Sequence, residues 1–461
     1  MAGSFRRRAR IHCSSESGIK TMTTMKNRVR NSRHWFSVVA VTASMFGCGI
    51  SDMLQGEASV VGMDGRSKDL ASRRGGIQMN YGALQKFKTA MGIVFEDVGV
   101  FTDELGVYDG TVNHMDARYT SGNLPGIRTS GYQALQTARI HASQTVDILS
   151  RYGDESSRRV LGHAYALEAH TILQMAEMFC SGVPLTDVPF LGNIQYSPAI
   201  STTALFERAV ALFDSAYLYG HDSLPIATFA QVGKGRALLG LGRYADASDA
   251  VATVPTSAQY VLDYSTGANG VPLRDVYTTK NTYVVYDTEG QNGIRWSAPA
   301  GQLPDLRVPL TVVSGTMYRQ RKFTSQTGRV VLADGIQARM IEAEAALQPA
   351  NAPSGDWLTK LNAARAMQSL DPLTDPGSAE GRINLLFKER AFSFYLTGAR
   401  LGDMRRLVRN YSYPVTSVYA VGMYPKANLI FQSYGEAVVF VLDNSESDLN
   451  PLYRGCINTL P

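Results

Sequence analysis

Apolar residues recur at three- and four-residue steps along much of the chain, the spacing that places them on one face of a helix. Tyr132, Leu135, Ala138, Ala142, Val146 and Leu149 form one stripe, and Leu161, Tyr165, Ala169, Ile172, Ala176 and Phe179 form another. Further stripes run through 205–218, 336–347, 357–364 and 383–407. The pattern predicts a mainly α protein. Within it, 231–254 reads QVGKGRALLGLGRYADASDAVATV. Gly235, Gly242, Tyr244, Ala247 and Val251 stand there at the offsets of a tetratricopeptide helix-turn-helix, small where two helices touch and aromatic beside the turn. A second pair is predicted over 338–366, broken at 349–355, and about four stacked hairpins are expected in all. Between them, 255–330 switches to short Tyr-, Thr-, Gly- and Asn-rich pieces. This is read as a loop-rich insertion between scaffold helices, of the length that more often carries function than mere connection.

Composition changes the picture mainly at the N-terminus. The 461 residues carry 45 Lys plus Arg and 40 Asp plus Glu, but 1–47 holds nine of the basic residues and only Glu16. The remaining body therefore has 36 basic and 39 acidic side chains, a net of −3, which gives no general field for phosphate and argues against a nucleic-acid partner. Lys26, Arg28, Arg30 and Arg33 precede an apolar run over 35–46, and Gly47-Cys48 follow. That is the order of a signal peptide, with Met25 a candidate true start, and the run is too short to span a bilayer. Gly47-Cys48 is a partial match to a bacterial lipobox, so Cys48 is expected to be acylated, with ordinary cleavage nearby as the alternative. The expected division is a leader over 1–47 and one domain over 48–461. Cys13 lies in the leader, which leaves Cys180 and Cys456 as an even pair in a disulfide-permissive compartment. A bond between them is expected, two buried free thiols being the alternative.

Catalytic and metal motifs are weak. GKGRALLG over 233–240 lacks the third glycine of a dinucleotide loop and the Ser or Thr of a phosphate loop. His163, His170 and Glu177 recur at seven-residue steps, about 10.5 Å apart along a helix axis, too far to share one metal ion. The adjacent Asp103-Glu104 and the i,i+2 pair Glu342 and Glu344 diverge rather than face each other across a cleft as glycosidase chemistry needs. Arg400, Asp403, Arg405 and Arg406 are read as an ion-paired run on one helix.

A set of ordered motifs then gives the chain a likeness. Glu389-Arg390, Gly398, Arg400, Asp403-Met404 and Arg406 lie in KERAFSFYLTGARLGDMRR; Thr102-Asp103-Glu104 comes early. A338–E344 reads ARMIEAE, Pro304 to Pro309 reads PDLRVP, and Asn450-Pro451 comes near the end. In this order they resemble the SusD/RagB family of outer-membrane nutrient-uptake lipoproteins over nearly the whole mature chain. Ser393 and Thr397 depart from it, standing where many members place Glu. The resemblance implies a scaffold of tetratricopeptide-like pairs, lipid-anchored on the outer face of the outer membrane. It also implies a partner, a TonB-dependent SusC-like barrel that the protein caps, and an oligosaccharide or peptide ligand bound for import without catalysis or cofactor. A protein-binding tetratricopeptide adaptor and a secreted glycan hydrolase are the rival readings.

Sugar binding calls for a flat ring beside amide and carboxylate partners. Trp296, with Tyr283, Tyr286, Gln291 and Asn292 near it in sequence, is the expected stacking platform. Tyr108, Asn113 and His114, in the loop over 108–119, complete the predicted ligand face. The alternative is that these aromatics pack the insertion onto the helices or meet the transporter.

Overall fold

The computed structural model describes residues 70–107, 115–119, 130–268, 270, 271, 273, 283–299, 302–349, 354–425, 431–442 and 444–461. The predicted leader and Cys48 lie outside them, as do Tyr108, Asn113 and His114. Among the described residues the first six helices are α1 (Arg73–Phe101), α2 (Ser130–Tyr152), α3 (Arg158–Met178), α4 (Thr202–Gly220), α5 (Leu224–Gly240) and α6 (Tyr244–Val251). After the insertion come α7 (Gly335–Ala346), α8 (Asp356–Ala366), α9 (Ala379–Ser393), α10 (Arg400–Tyr411), α11 (Val415–Val418) and α12 (Asn444–Leu449). The chain has a mainly α fold. Consecutive helices pack as the pairs α1–α2, α3–α4, α5–α6 and α7–α8, and contacts of α2 with α3, α4 with α5 and α6 with α7 make the pairs one continuous stack.

Short polar side chains start these helices. Ser72, Ser201 and Ser378 each accept the backbone N–H three residues on, at 3.0, 3.2 and 3.0 Å. This satisfies one of the donors that a helix N-terminus leaves free. Gly242 makes the α5–α6 turn with φ 72°, a left-handed conformation that costs glycine little. Gly235 is small for the reason its position suggests: a Cβ there would stand 2.8 Å from Val251 of α6 and 3.1 Å from Ile341 of α7.

Two departures from the periodicity have physical causes. The stripe over 383–407 is not one helix, because Leu396 and Gly398 take φ 53° and 77° and turn the chain between α9 and α10. The longest described helix, α1, loses its one-sided pattern in its C-terminal half. From Ala90 to Phe101 every residue is buried, so apolar and polar positions do not alternate by face.

The insertion is stapled at its base by the antiparallel pair β2 (Gln259–Tyr264) and β6 (Gly328–Asp334), in register from Gln259 opposite Asp334 to Tyr264 opposite Gly328. β6 delivers Asp334 directly to α7, where its Oδ1 accepts Gln337 N–H at 2.8 Å. Between the two lies an antiparallel sheet in the order β1 (Gly106–Val107), β3 (Tyr283–Tyr286), β5 (Met317–Gln320), β4 (Leu310–Ser314). Its edge strand β1 comes from the end of α1, so the insertion is sewn to the first helix. A disulfide joins Cys180, just past α3, to Cys456 at a sequence separation of 276. Phe440 pairs alongside it, accepting Cys180 N–H at 2.8 Å and donating to Met178 O at 2.9 Å.

α3 and α4 cross with their backbones in close contact at Gly162 and Gly220. A Cβ on Gly162 would lie 2.6 Å from Gly220 N and 2.9 Å from Ala216 O, backbone atoms that cannot turn aside. Gly162→Ala should therefore destabilise by about 1–3 kcal/mol. Gly82→Ala, on the exposed face of α1 with nothing within 4 Å, should stabilise by about 0.5–1 kcal/mol. Paired thermal melts of the two variants check the crossing, since equal shifts would mean that it is not tight.

Candidate functional site

The motif residues spread over 300 positions of sequence converge on α10, and they do so as buried ion pairs. Arg400 donates from Nε and Nη2 to the two carboxylate oxygens of Asp103, at 2.8 and 2.9 Å. Arg390 of α9 holds Asp403 in the same two-pronged way at 2.8 and 2.9 Å. Arg406 reaches Asp403 at 2.9 Å and grips Glu344 of α7 at 3.1 and 2.9 Å. Burial opposes ionisation of Asp403, but the guanidiniums of Arg390 and Arg406 outweigh it and hold the carboxyl down at about 2. A second knot lies beside it. Arg307 of the PDLRVP turn and Arg365 of α8 both donate to Glu389, at 2.7 and 2.6 Å. Ser393 joins this knot by accepting Arg307 Nη1 at 3.1 Å and Gln368 Nε2 at 3.1 Å, so the departure from Glu leaves a hydroxyl with partners. Thr397 bonds its own turn instead, donating to Phe394 O at 2.6 Å.

The candidate catalytic carboxylates are thus engaged by cations or backbone. Asp103 is bound by Arg400, and Glu342 by Arg339 and Lys360 at 3.0 and 3.1 Å. The three helix-face residues also have separate partners. His163 lies between Asn80 (3.1 Å) and the Tyr260 hydroxyl (2.7 Å), and Glu177 pairs with Arg236 at 2.5 Å. His170 is packed edge-on against Phe87, and burial holds both imidazoles below their usual range.

The expected stacking platform needs correction. Trp296 is 2% exposed, with its ring 5.2 Å from Phe392 and 5.1 Å from Tyr395 and its Nε1–H donated to Asp103 O at 2.5 Å. It is a core residue that locks the insertion to α9, with no face left for a ligand. Its sequence neighbours do similar work. Tyr283 donates its hydroxyl to Glu96 Oε1 at 2.7 Å. The half-buried Tyr286 ring lies where a Cβ on Gly106 would be, 2.3 Å from it. Asn292 donates to Thr416 O and Tyr419 O, both at 2.9 Å, and accepts Val421 N–H at 3.1 Å. The insertion's polar aromatics therefore face the scaffold. Their irregular backbone had suggested solvent, but sheet pairing turned them inward.

An open cleft of about 560 Å³ lies elsewhere, between Arg118-Tyr119 and the segment 433–439, with Thr459 at its side. Arg118 builds the wall. Its guanidinium donates to the carbonyls of Ala437 (3.0 Å), Ala420 (2.6 Å) and Gly435 (2.6 Å), and lies 5.2 Å above the Tyr419 ring. Tyr119, half-buried, stacks on Phe431 with ring centres 4.3 Å apart and donates to Ser433 O at 3.3 Å. Glu436 and Ser433 are exposed at the rim. Behind the wall Tyr424 donates to Asp116 at 2.6 Å, and burial, with Asp116 nearby, holds the Glu289 carboxyl well above its usual range. A ring, an amide-rich strand and a rim carboxylate are the groups that a polar ligand would use. Tyr119 ends the aromatic loop over 108–119 that the sequence had marked. Nothing in the sequence marked 433–439, whose contribution is mostly backbone.

No family model matches the sequence, and no curated protein matches it. Solved structures do match. A SusD superfamily protein from Bacteroides vulgatus aligns with a TM-score of 0.62 at 10% identity, over 86% of this chain and 99% of its own. A SusD homolog from Bacteroides thetaiotaomicron gives 0.59 at 13% identity over 85% and 98%. A SusD/RagB family protein from the same species gives 0.54 at 13% identity over 82% and 94%. At such identities the likeness is one of fold: the chain has the SusD-like fold over most of its length.

One member of the buried motif set is not ion-paired. Glu104 is fully buried, accepts Leu396 N–H at 2.8 Å, and burial pushes its carboxyl up to about 8. Lys322, which donates to Tyr395 O nearby, is pushed down to about 8, again by burial. A carboxyl whose folded value lies above its unfolded one favours the fold below the unfolded value and loses that contribution as pH rises through the folded one. Glu104 should thus make the protein less stable as pH climbs from about 4.5 toward 8. Glu104→Gln keeps an oxygen for Leu396 N–H and removes the titration, so its melting temperature should stay flatter than wild type over that window. Parallel slopes would contradict the assignment.

Proposed function

We propose that the protein is a cell-surface lipoprotein that binds an oligosaccharide or peptide nutrient, caps a TonB-dependent outer-membrane barrel and passes the ligand to it. On this reading residues 1–47 are removed, Cys48 carries the lipid, and 48–461 act as one SusD-like domain. The observation that carries the proposal is the match to SusD-like structures over 86% of this chain and 99% of the other. The signal-peptide order ending at Gly47-Cys48 supports it from the sequence. Among the described residues no helix is long and apolar enough to cross a membrane, which is compatible with attachment through lipid. Binding rather than hydrolysis is favoured because Asp103, Glu342 and Glu344 are held by Arg or Lys. A protein-binding adaptor is less favoured, because the Arg118-Tyr119 segment and the C-terminal segment build a cleft of small-ligand size.

Purification from outer membranes should yield a barrel partner, and mass spectrometry of the native protein should find Cys48 as an acylated N-terminus. The ligand would lie in the cleft beside Tyr119. Tyr119→Ala should weaken binding in an oligosaccharide and peptide panel several-fold, since a stacked ring is worth about 1 kcal/mol beyond its area, while lowering the melting temperature far less than loss of Trp296 does. Trp296→Ala should do the reverse, costing about 3–5 kcal/mol of stability. A soluble protein with an unmodified N-terminus and no partner would sink the proposal. Polysaccharide turnover would replace it with the hydrolase.

A further inference from the structure

The outer turns of α10 carry two guanidiniums that no carboxylate among the described residues neutralises. Arg405, 2% exposed, donates from Nη1 to Ala176 O at 2.7 Å and Phe179 O at 3.1 Å, the end of α3. Its Nε is buried and has no partner. Arg409 donates to Gly240 O at 2.8 Å, the end of α5, and lies 5.7 Å above the Phe206 ring. Arg236 and Arg406 complete the surroundings, paired with Glu177 and with Glu344 and Asp403. These four arginines and Glu177 line a crevice of about 10 Å³, room for about one water-sized sphere. Carbonyls at helix C-termini suit guanidiniums, which accounts for Nη1 of Arg405 and Nη2 of Arg409. They do not account for a buried charged N–H left without an acceptor, an omission that carries the full desolvation penalty of that group.

We propose that this crevice binds a single halide ion, chloride-sized, which accepts the Arg405 Nε–H and balances the excess positive charge. The lining selects the occupant. A tetrahedral oxyanion exceeds the space. A water would also fit the volume but brings no charge, whereas Arg405 and Arg409 have no carboxylate partner among the described residues. A halide needs donors only, and four arginines line the crevice. Burial, then Arg409, draw the Arg405 guanidinium down to about 10 against the pull of Tyr419 and Glu177, as expected for a cation short of negative charge. Entry is short, because the crevice shares Phe206, Gly240 and Arg409 with an open cleft of about 550 Å³.

The test uses the whole mature protein. Crystals grown or soaked in bromide should give an anomalous peak at hydrogen-bonding distance from Arg405 Nε. Melting temperature, measured at fixed ionic strength while chloride replaces gluconate, should rise by roughly 1–3 °C and saturate, as a bound ligand requires. A general salt effect would not saturate. Arg405→Lys keeps the charge but removes Nε, and should abolish the chloride dependence. Should that variant not fold, the bromide crystals of the wild type decide alone. An ordered water without anomalous signal, or identical melting in the two salts, overturns the proposal.

Discussion

The two-pronged pair between Asp103 and Arg400 is the joint on which the rest of the structure hangs. Asp103 sits just past α1, and its carboxylate also accepts Ile294 N–H at 3.1 Å while its carbonyl accepts the Trp296 indole. One residue thereby fastens the first helix, the insertion and α10 together. Removal of either charge would leave the other buried and unpaired, which typically costs about 3–5 kcal/mol. The same constraint runs along α10. A helix carrying Arg400, Asp403, Arg405 and Arg406 is buried at all four positions, so every charge must be answered by a neighbour or a carbonyl. Glu344, Arg390 and the end of α3 supply those answers, and with them α10 touches α3, α7 and α9.

Such a lattice explains why motif residues that look catalytic in sequence act as framework. Buried carboxylates whose oxygens are taken by guanidiniums do not open to a substrate. The groups that meet solvent lie where no regular element competes for them, in the short Arg118-Tyr119 segment and the strand-like 433–439. The scaffold fixes these from behind through Arg118, whose three carbonyl contacts hold the wall while leaving Tyr119 at its edge.

Much of this fold was legible because periodicity reports packing on one side. α2, α3, α4 and the α5–α6 turn at Gly242 were read from stripes and small residues, and the motif order pointed to the SusD-like fold that the solved structures share. α1 was not legible, because its C-terminal half, from Ala90 to Phe101, is buried on every side and leaves no polar face to set off a stripe. The break at Leu396 to Gly398 was hidden for a different reason: apolar residues continue through it while the backbone takes positive φ. Trp296 was misread because irregular sequence was equated with solvent. What holds it inward is its indole bond to Asp103 O and its packing on Phe392 and Tyr395, residues far from it in sequence. The cleft escaped because backbone groups carry no sequence signature.

The central claim is that the buried pairs around α10 act as one coupled framework, and a double-mutant cycle at Asp103 and Arg400 tests it most directly. Denaturant unfolding of Asp103→Ala, Arg400→Ala and the double variant gives the coupling. Each single change should cost about 3–5 kcal/mol, and the double change little more than either alone, a coupling of roughly 2 kcal/mol or more. Additive single losses would mean that the two charges act separately, and would contradict the account.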